Sequence, residues 1–564
     1  MTGKKSASAV KLTAVAAITL LVVCACALVL FSGCAGEQVA KKKLGYHEIK
    51  TDTEGKIIPW YSASRGQSYD HVIMLVWHFW DKIRRDYNGT PYFMNHQVWR
   101  EGSDDSRGLG GDQLQMALSS WSLLYMYCGD GQIVENMKFI ADYYLTHSLS
   151  APAAEWPSIP YPYNTYMYSG LYDGDMIIGK GYTQPDKAGS LGIELITLYK
   201  ITGSENYLND AVRIADTLAM HTKPGDANNS PLPFKVNAET GKVGVLINYY
   251  TRKIDGRCTY TTNWTGTMRL WTELIKMNKG NVDSYKKAFD IFLGWMNEYP
   301  LRNNKWGPFF EDVPGWSDTQ INAVTYAMYI MQNPGLFPNW GQDARKVLDW
   351  PWERLANRDW EKYGVVVMNE QTEYLQPGNS HSARQASMEL LYTKLTGDNT
   401  RKENAIRLLD WATYMVDTDG KNNYINAGVW MTDGYGDYVR HYLRAMSACP
   451  ELTPDDADHI LSSTSVVTSV RYRGGDRRGR PSRPDRESDG FVGRPVVTYK
   501  TYDADSTEVL RMTAKPTAVY VGKKQIAESS EGEGWTWQPM QKGGVLTIKH
   551  TTGNEITVTE ADRK

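Results

Sequence analysis

The sequence predicts a mainly α-helical fold, an (α/α)6 toroid of helical hairpins followed by a small C-terminal β-sandwich domain. Two observations carry this prediction. One pattern, an apolar run followed by a glycine and then an amphipathic run, occurs four times, at residues 123–131, 197–208, 273–285 and 390–400. From about Ser462 the helical patterns stop, and short β-rich runs replace them.

The glycine of each repeat predicts a tight turn between two helices. Glycine accepts the left-handed conformation that ends a helix, and a polar residue after it can cap the next one. Gly129, Gly203 and Gly280 lie about 75 residues apart, which is the spacing of a repeat architecture. The interval from Gly280 to Gly397 leaves room for one degenerate copy near Asn333.

The two helices of a hairpin differ in their apolar pattern. Residues 189–200 are apolar almost all round, whereas residues 205–220 carry one apolar stripe with Asn209, Asp210 and Arg213 opposite it. An all-apolar helix is enclosed by others, and a striped helix faces water on one side. The same contrast recurs between 114–127 and 136–146, and between 386–395 and 404–415. Inner helices surrounded by outer helices are therefore expected.

The count of hairpins favours a closed ring. Further hairpins begin near Trp264 and Ile321, and the helices 69–85 and 438–447 can pair to join the two ends, which makes about six hairpins. Neither end carries the polar capping repeat that an open solenoid needs. The sequence therefore favours a toroid over a solenoid.

Long connections lie on the face opposite the glycine turns. They span residues 87–110, 148–186, 223–260, 300–317, 358–380 and 417–436. Connections of this length in a compact domain are usually functional. Within one of them, alternation around Glu239-Thr240-Gly241 predicts a β-hairpin over residues 233–250.

The C-terminal part, residues 462–564, is predicted to form the β-sandwich. Its candidate strands cover residues 466–472, 496–502, 518–521 and 545–550. The segment 474–494 is rich in arginine and glycine and too polar to pack, which predicts a mobile loop.

The N-terminal residues are typical of an export signal. Lys4 and Lys5 precede an apolar run, residues 10–31, and Cys34 follows small residues. This pattern resembles a bacterial lipoprotein signal, which implies a signal peptide at 1–33, lipidation of Cys34, a tether at 34–58 and a catalytic toroid at 59–461. We expect an envelope protein anchored to a bacterial membrane and facing the periplasm or the cell exterior. The alternative is an uncleaved membrane anchor.

Composition excludes several other classes of protein. The 62 basic and 64 acidic residues are balanced, which argues against a nucleic-acid partner. Cys128, Cys258 and Cys449 are far apart and show neither a disulfide framework nor zinc spacing, so no metal or cofactor is predicted. The 19 tryptophans and 36 tyrosines suit partly wet surfaces, including those that stack on sugar rings.

The long loops carry the candidate site residues. Glycan hydrolysis needs one carboxyl that stays protonated and a second that activates water or attacks the sugar. The candidate catalytic carboxylates are Asp104, Asp105, Asp175, Glu311, Asp312 and Glu370. The candidate substrate-binding residues are Tyr166, Tyr172, Arg257, Trp264, Trp316, Tyr374, His381, Arg384 and His441.

Several of these candidate site residues could instead have a purely structural role. Asp104 and Asp105 fit an ordinary solvated loop equally well. His381 and Arg384, one helical turn apart, can clamp a carboxylate or make an interhelical hydrogen bond, and the same two interpretations apply to His441.

Two longer stretches carry a resemblance to a known superfamily. They are DKAGSLGIELITLYKITGSENYL at 186–208 and VWMTDGYGDYVRHYLRAM at 429–446, with a β-rich tail after the second. The chain resembles the six-hairpin carbohydrate-active enzymes, which include unsaturated glucuronyl hydrolases, other glucuronidases, polysaccharide lyases and sugar epimerases. The resemblance implies an oligo- or polysaccharide substrate in the central cleft of the toroid.

Together these observations predict an exported, lipid-anchored glycoside hydrolase. A uronic-acid-containing glycan is the expected substrate, because cationic candidates such as Arg257 and Arg384 lie among the loop carboxylates. One alternative is a polysaccharide lyase, in which tyrosine or histidine is the base and arginine or asparagine neutralises the developing charge. A further alternative is a non-catalytic glycan-binding lipoprotein.

Overall fold

The computed structural model describes residues 43–82, 113–162, 172–175, 178–247, 253–310, 316–422, 437–473 and 491–561. The chain divides into two compact units, Met1–Leu44 and Gly45–Lys564, and the second unit is described below. The predicted signal peptide and Cys34 lie outside the described residues. Within the described ranges, no helix combines the length and the apolar character needed to cross a membrane.

Twelve α-helices occur in the described part of the chain, and a short π-helical turn, Asn297–Leu301, extends the seventh. Their bounds are α1 Arg65–Lys82, α2 Gln113–Cys128, α3 Gly131–Ser148, α4 Pro185–Thr202, α5 Glu205–His221, α6 Thr265–Met277, α7 Val282–Met296, α8 Gln320–Gln332, α9 Trp340–Arg354, α10 Asn379–Thr396, α11 Lys402–Ala412 and α12 Asp437–Ala448.

The even-numbered helices form a closed inner ring. Each of α2, α4, α6, α8, α10 and α12 contacts the next, and α12 returns to α2. The helices α3, α5, α7, α9 and α11 follow their inner partners along the chain, and α1 packs on α12 to complete the sixth pair. The predicted (α/α)6 toroid is confirmed.

Left-handed residues end the inner helices where the repeat predicts them. Gly203 has φ 73° and its N–H donates to the Tyr199 carbonyl, and Gly397 closes α10 with φ 79°. In the third hairpin the left-handed cap is Asn278, with φ 53°, rather than the predicted Gly280. Asparagine tolerates this conformation better than other side chains, so it takes the place of glycine.

Glycines also bring α4 and α6 into close contact. A Cβ atom at Gly189 would lie 1.9 Å from the Thr267 Oγ1, and one at Gly192 would lie 2.6 Å from a methyl carbon of Leu270. The helix α4 is buried over most of its length, as an inner helix should be. Its glycines therefore serve helix packing, which offsets their low helix propensity.

Nine strands form two antiparallel sheets after the ring. They are β1 His459–Ser463, β2 Val467–Tyr472, β3 Arg494–Thr501, β4 Ser506–Met512, β5 Ala518–Val521, β6 Lys524–Ile526, β7 Gly534–Pro539, β8 Gly544–His550 and β9 Glu555–Glu560. The strand orders are β1-β4-β8-β7 and β2-β3-β9-β5-β6. Tyr499 on β3 donates to the buried Glu508 on β4 at 3.0 Å, which links the two sheets.

The first two strands cover one end of α2. The Tyr472 hydroxyl donates to the Met126 carbonyl at 2.6 Å, and the His459 Nδ1 lies 2.9 Å from the Tyr127 carbonyl. Carbonyls in the last turn of a helix have no partner within the helix, so the strands supply one. The β-sheets therefore pack on the side of the ring where the short turns lie.

Short strands occupy the loops on the opposite side. Gly174–Asp175 pairs with Gly179–Lys180, and Ala356–Asn357 pairs with Val367–Met368. The predicted hairpin over 233–250 is confirmed only around its turn, where the Asn237 N–H donates to the Lys242 carbonyl at 2.8 Å and the Gly244 N–H donates to the Lys235 carbonyl at 2.9 Å. The turn after Asn237 forms, with one bridge between Val236 and Val243. However, Val236–Asn237 pairs with Tyr182–Thr183, and Val245–Ile247 pairs with Ile254–Arg257.

Candidate functional site

A narrow cavity lies on the axis of the ring, and all six inner helices contribute to its wall. Its volume is about 50 Å³. About 10–15 Å³ of such space holds one water molecule, so the cavity has room for a small polar group such as a carboxylate. Its polar and charged lining residues are Gln115, Ser119, Ser190, Glu194, Asn263, Thr265, Arg269, Thr325, Arg384, Arg440, His441 and Arg444.

The helix α12 supplies the largest group of charged side chains. Asp437, Arg440, His441 and Arg444 are spaced three, four and seven residues from the first, which places them on one face of the helix. Because α12 is enclosed by α2 and α10, this face can satisfy its polar groups only with partners on other inner helices or with a ligand.

Asp437 is the centre of an ion-pair cluster. Its Oδ2 accepts a hydrogen bond from Arg384 Nη2 at 2.6 Å and lies 3.3 Å from His441 Nε2, and its Oδ1 pairs with Arg440. Burial would raise the pKa of Asp437, but the Arg440 and Arg384 guanidiniums hold that pKa well below its usual range. The carboxylate is therefore ionised at neutral pH and orients both arginines.

Two histidines beside this cluster are neutral. Burial lowers the pKa of His441 well below its ordinary value, although Asp437 opposes the shift. Burial and then the positive charge of Arg384 lower the pKa of His381 to about 3. Neither ring nitrogen of His381 has a hydrogen-bond partner among the described residues. Both imidazoles are therefore unprotonated at neutral pH, and their low pKa values make them weak bases in the ligand-free protein.

A second charged layer lies deeper along the axis. Burial raises the pKa of Glu194, while Arg269, Arg440 and Arg444 act in the opposite direction. Burial, Arg440 and Arg269 lower the pKa of Arg444 to about 9, so its guanidinium stays charged at neutral pH. Across both layers and among the described residues, the four guanidiniums of Arg269, Arg384, Arg440 and Arg444 face two carboxylates, Glu194 and Asp437.

Hydrogen bonds tie together the helix starts around the cavity. Lys187 Nζ donates to Asp186 Oδ2 and to the Phe309 carbonyl, both at 2.8 Å. Asn263 Nδ2 donates to the same Asp186 oxygen at 2.9 Å. On the other side, Arg384 Nη1 donates to Gln320 Oε1 at 2.8 Å. These bonds hold the first turns of α4, α8 and α10 in place around the axis.

Four of the predicted catalytic carboxylates, Asp104, Asp105, Glu311 and Asp312, lie outside the described residues and stay predictions. Glu370 is buried and accepts a hydrogen bond from Gln371 Nε2 at 2.8 Å. Its carbonyl accepts from the backbone N–H of Gln320, so it lies beside the start of α8 and remains a candidate.

Asp175 requires a correction. It is completely buried, and its Oδ2 lies 2.9 Å from Lys235 Nζ and accepts a hydrogen bond from Gln184 Nε2 at 3.2 Å. Its Oδ1 accepts from the Ile178 N–H at 2.9 Å. A carboxylate with no exposed surface and these partners anchors its own loop and is not available to a sugar.

Three predicted substrate-binding residues lie together in the ion-pair cluster, namely His381, Arg384 and His441. For Arg384 the interhelical hydrogen bond is confirmed, because it binds Asp437 and Gln320. Arg384 and His441 also line the axial cavity.

Trp264 requires a correction as well. Its side chain is fully buried, packs on Phe292 with ring centroids 5.0 Å apart, and donates from Nε1 to the Thr261 carbonyl at 2.7 Å. It has no free ring face for a sugar.

The remaining aromatic and cationic candidates are spread over other parts of the loop side. Tyr172 is buried and contacts the edge of Tyr144, Trp316 packs on Tyr260, Tyr374 is exposed, and Arg257 is exposed on a short strand. Tyr166 lies outside the described residues. These five stay predictions, and none of the four described ones lines the axial cavity.

The sequence reasoning missed Glu194, Arg269, Arg440 and Arg444. A signal for them exists, since a charged residue in a helix that is otherwise enclosed by apolar neighbours has to face a partner or a cavity. Glu194 in the nearly all-apolar α4, and the charged stripe of α12, fit that description.

The fold and site define a closed six-hairpin toroid with a charged axial cavity. No family model matches the chain, and no curated protein matches it. Among solved structures it is similar to cellobiose 2-epimerase from Spirochaeta thermophila DSM 6192, with TM-score 0.51, 12% identity, and 68% of this chain and 96% of that chain covered.

Two further solved structures have the same likeness. Cellobiose 2-epimerase from Bacillus thermoamylovorans B4167 is 14% identical, with TM-score 0.50. The alignment covers 67% of this chain and 98% of the epimerase chain. A D-mannose isomerase is 11% identical, with TM-score 0.50. The alignment covers 70% of this chain and 99% of the isomerase chain. At such identities the likeness confirms the resemblance to six-hairpin toroid enzymes at the level of fold.

Proposed function

We propose that this chain is a carbohydrate-active enzyme that binds the carboxylate of a uronic-acid-containing saccharide in the axial cavity and hydrolyses a glycosidic bond of that saccharide. The single observation that carries the proposal is the excess of guanidiniums over carboxylates in the described lining of the axial cavity. The toroid fold, shared with the two epimerases and the isomerase, is consistent with a saccharide ligand.

The excess of positive charge in the described lining of the axial cavity favours a saccharide that carries an anionic substituent. Arg269 and Arg444 make no hydrogen bond or ion pair within the described residues, and both line the cavity. Arginine is suited to carboxylates because its planar fork can form two parallel hydrogen bonds. Two neighbouring guanidiniums without ion-pair partners repel each other, and a ligand carboxylate would relieve this repulsion.

Hydrolysis requires a proton donor near the sugar. Glu194 is the carboxyl in the described lining whose burial raises its pKa, which is the condition for a general acid. The second carboxylate would come from the loop candidates Asp104, Asp105, Glu311, Asp312 and Glu370.

A second reaction, elimination next to the uronate carboxylate, is favoured by one specific observation. His381 and His441 are both neutral and lie beside Arg384. An unprotonated imidazole can act as the base if the bound uronate carboxylate raises its low pKa, and the guanidinium can stabilise the charge that develops.

One experiment separates these reactions. Uronic-acid polysaccharides are incubated with the chain in D2O, and the products are analysed. New reducing ends without ultraviolet-absorbing unsaturated uronate support hydrolysis, and both together indicate elimination. Deuterium beside the carboxylate without new ends indicates epimerisation, and binding without product indicates a glycan-binding module. Absence of both binding and turnover overturns the proposal.

We also propose that the chain is exported and lipid-anchored through Cys34, as the N-terminal pattern predicts. A bacterial host expressing the chain would be labelled with radioactive palmitate and fractionated. The wild type should carry label and sediment with membranes. Cys34→Ala should lose the label, and equal labelling of both would overturn this assignment.

A further inference from the structure

A second and larger cavity lies next to the axial one, on the β-sheet side of the ring. Its volume is about 360 Å³, within the range of about 300–1,000 Å³ that small-molecule sites usually have. Its lining runs from the inner helices to the segment 461–467, which contains the end of β1 and the start of β2. It shares Glu194, Arg269 and Arg444 with the axial cavity, so this charged layer separates the two spaces.

The walls of this second cavity are unlike a sugar site. Half of the lining is aliphatic or methionine, and the other neutral residues are mainly serines. No aromatic side chain occurs in its described lining, so the ring faces on which sugars stack are missing. Met126, Met328 and Met388 can instead adapt their unbranched side chains to a flexible apolar ligand.

The charges sit at one end of the cavity. Glu194, Arg269 and Arg444 are the ionisable side chains of its described lining, so positive charge exceeds negative charge. Arg269 is exposed although it belongs to an inner helix, because it faces cavity space. Neither arginine forms an ion pair within the described part of the chain. An apolar chamber with unpaired guanidiniums at one end has the chemistry of a site for an anionic amphiphile.

We propose that the second cavity binds a small amphiphilic carboxylate, with its carboxylate on Arg269 and Arg444 and its alkyl chain along the wall formed by Met126, Leu391 and Leu443. The lining of this cavity carries the inference, which does not rest on the proposed function. Its ligand differs from a uronate in the apolar body that follows the carboxylate, and because both ligands would use Arg269 and Arg444, each should exclude the other.

Calorimetric titration of the full chain with butanoate, hexanoate and octanoate tests the proposal. Each methylene that enters the apolar wall should tighten binding about threefold to fourfold. Octan-1-ol, which has the same chain without the charge, should bind about tenfold or more weakly than octanoate. Failure of octanoate to bind, or equal binding of the alcohol, would overturn the proposal.

Two variants locate the site. Leu391→Trp fills a position that lines the second cavity but not the axial one, so it should abolish octanoate binding and leave glucuronate binding unchanged. Arg444→Gln should weaken octanoate about tenfold and octanol little. Arg213→Gln, at an exposed arginine of α5, is the matched control and should change neither. Octanoate binding that survives Leu391→Trp in a folded protein would refute the location, whatever the activity on saccharides.

Discussion

Single residues decide the chemistry of the axial cavity through burial and charge. Asp437 remains ionised because two guanidiniums compensate for its burial, whereas His381 and His441 are neutral because burial outweighs the nearby carboxylate. Arg269 and Arg444 have no hydrogen-bond or ion-pair partner in the described structure, which leaves their guanidiniums available to a ligand.

A substitution of Arg269 tests the proposed recognition of uronate. Arg269→Gln removes one unpaired guanidinium, so kcat/KM on a uronate-containing substrate should fall about 10-fold to 100-fold. When the carboxyl groups of the same substrate are reduced to alcohols, the substitution should lower kcat/KM only slightly. Arg213→Gln is the surface control and should match the wild type. Equal losses on the two substrates would contradict a carboxylate contact.

The histidines make stability depend on pH. The pKa of His381 falls from its ordinary value of 6.5 to about 3 on folding, so below 6.5 the unfolded chain binds a proton that the folded chain does not. Stability should therefore be lost as pH falls from 6.5 towards 3. Between about pH 7 and about pH 5 the loss from this residue is about 2 kcal/mol.

Urea unfolding at both pH values would measure this loss. His381→Asn should reduce the difference between them, whereas His147→Asn, at an exposed histidine, should not. A pH dependence that is the same in His381→Asn as in the wild type would exclude this residue as its source.

At the scale of elements, local patterns predicted most of the architecture. The apolar pattern separated inner from outer helices, and the glycines marked the turns. The exception in the helical part is Asn278, which performs the capping that Gly280 was expected to perform. The hairpin over 233–250 forms only around its turn, because Val236–Asn237 pairs with the distant Tyr182–Thr183 and Val245–Ile247 pairs with the following Ile254–Arg257. Alternation in sequence does not specify a partner strand.

Glycines in α4 provide a test of inner-helix packing. In Gly189→Ala the new methyl group would meet Thr267 at 1.9 Å, so the free energy of unfolding should fall by about 1–3 kcal/mol. Gly294→Ala is the matched control, since Gly294 lies in α7 with nothing within 4 Å of a Cβ atom. There alanine should stabilise the chain by about 0.5–1 kcal/mol. Chemical denaturation of both variants measures these changes, and equal effects would argue against close α4–α6 contact.

At the scale of the whole molecule, the ring and the β-sheets belong to one compact unit, Gly45–Lys564. The Tyr472 hydroxyl donates to the Met126 carbonyl and accepts from the Ile460 N–H, which couples β2 to the end of α2. We expect ring and sheets to unfold in one calorimetric transition, because the helix end loses its partner when the strands leave.

Tyr472→Phe tests this coupling. The loss of both hydrogen bonds should lower the unfolding free energy by about 1–3 kcal/mol. The exposed Tyr61→Phe serves as control and should change little. Two separate calorimetric transitions in the wild type would show that ring and sheets are independent.

The sequence by itself determined the hairpins, their double layer and the β-rich tail, because helix periodicity and turn residues act between near neighbours along the chain. It also named His381, Arg384 and His441 as substrate-binding candidates; the structure brings them together, and their role stays a prediction. Only the tertiary structure placed Asp175 in an ion pair with Lys235 and Trp264 in the core. Ring closure brought Glu194, Arg269 and Arg444 together from α4, α6 and α12, helices that are remote in sequence. Charged residues that come together across a closed ring show no regular spacing in the sequence, since the distance between their side chains depends on how the helices pack.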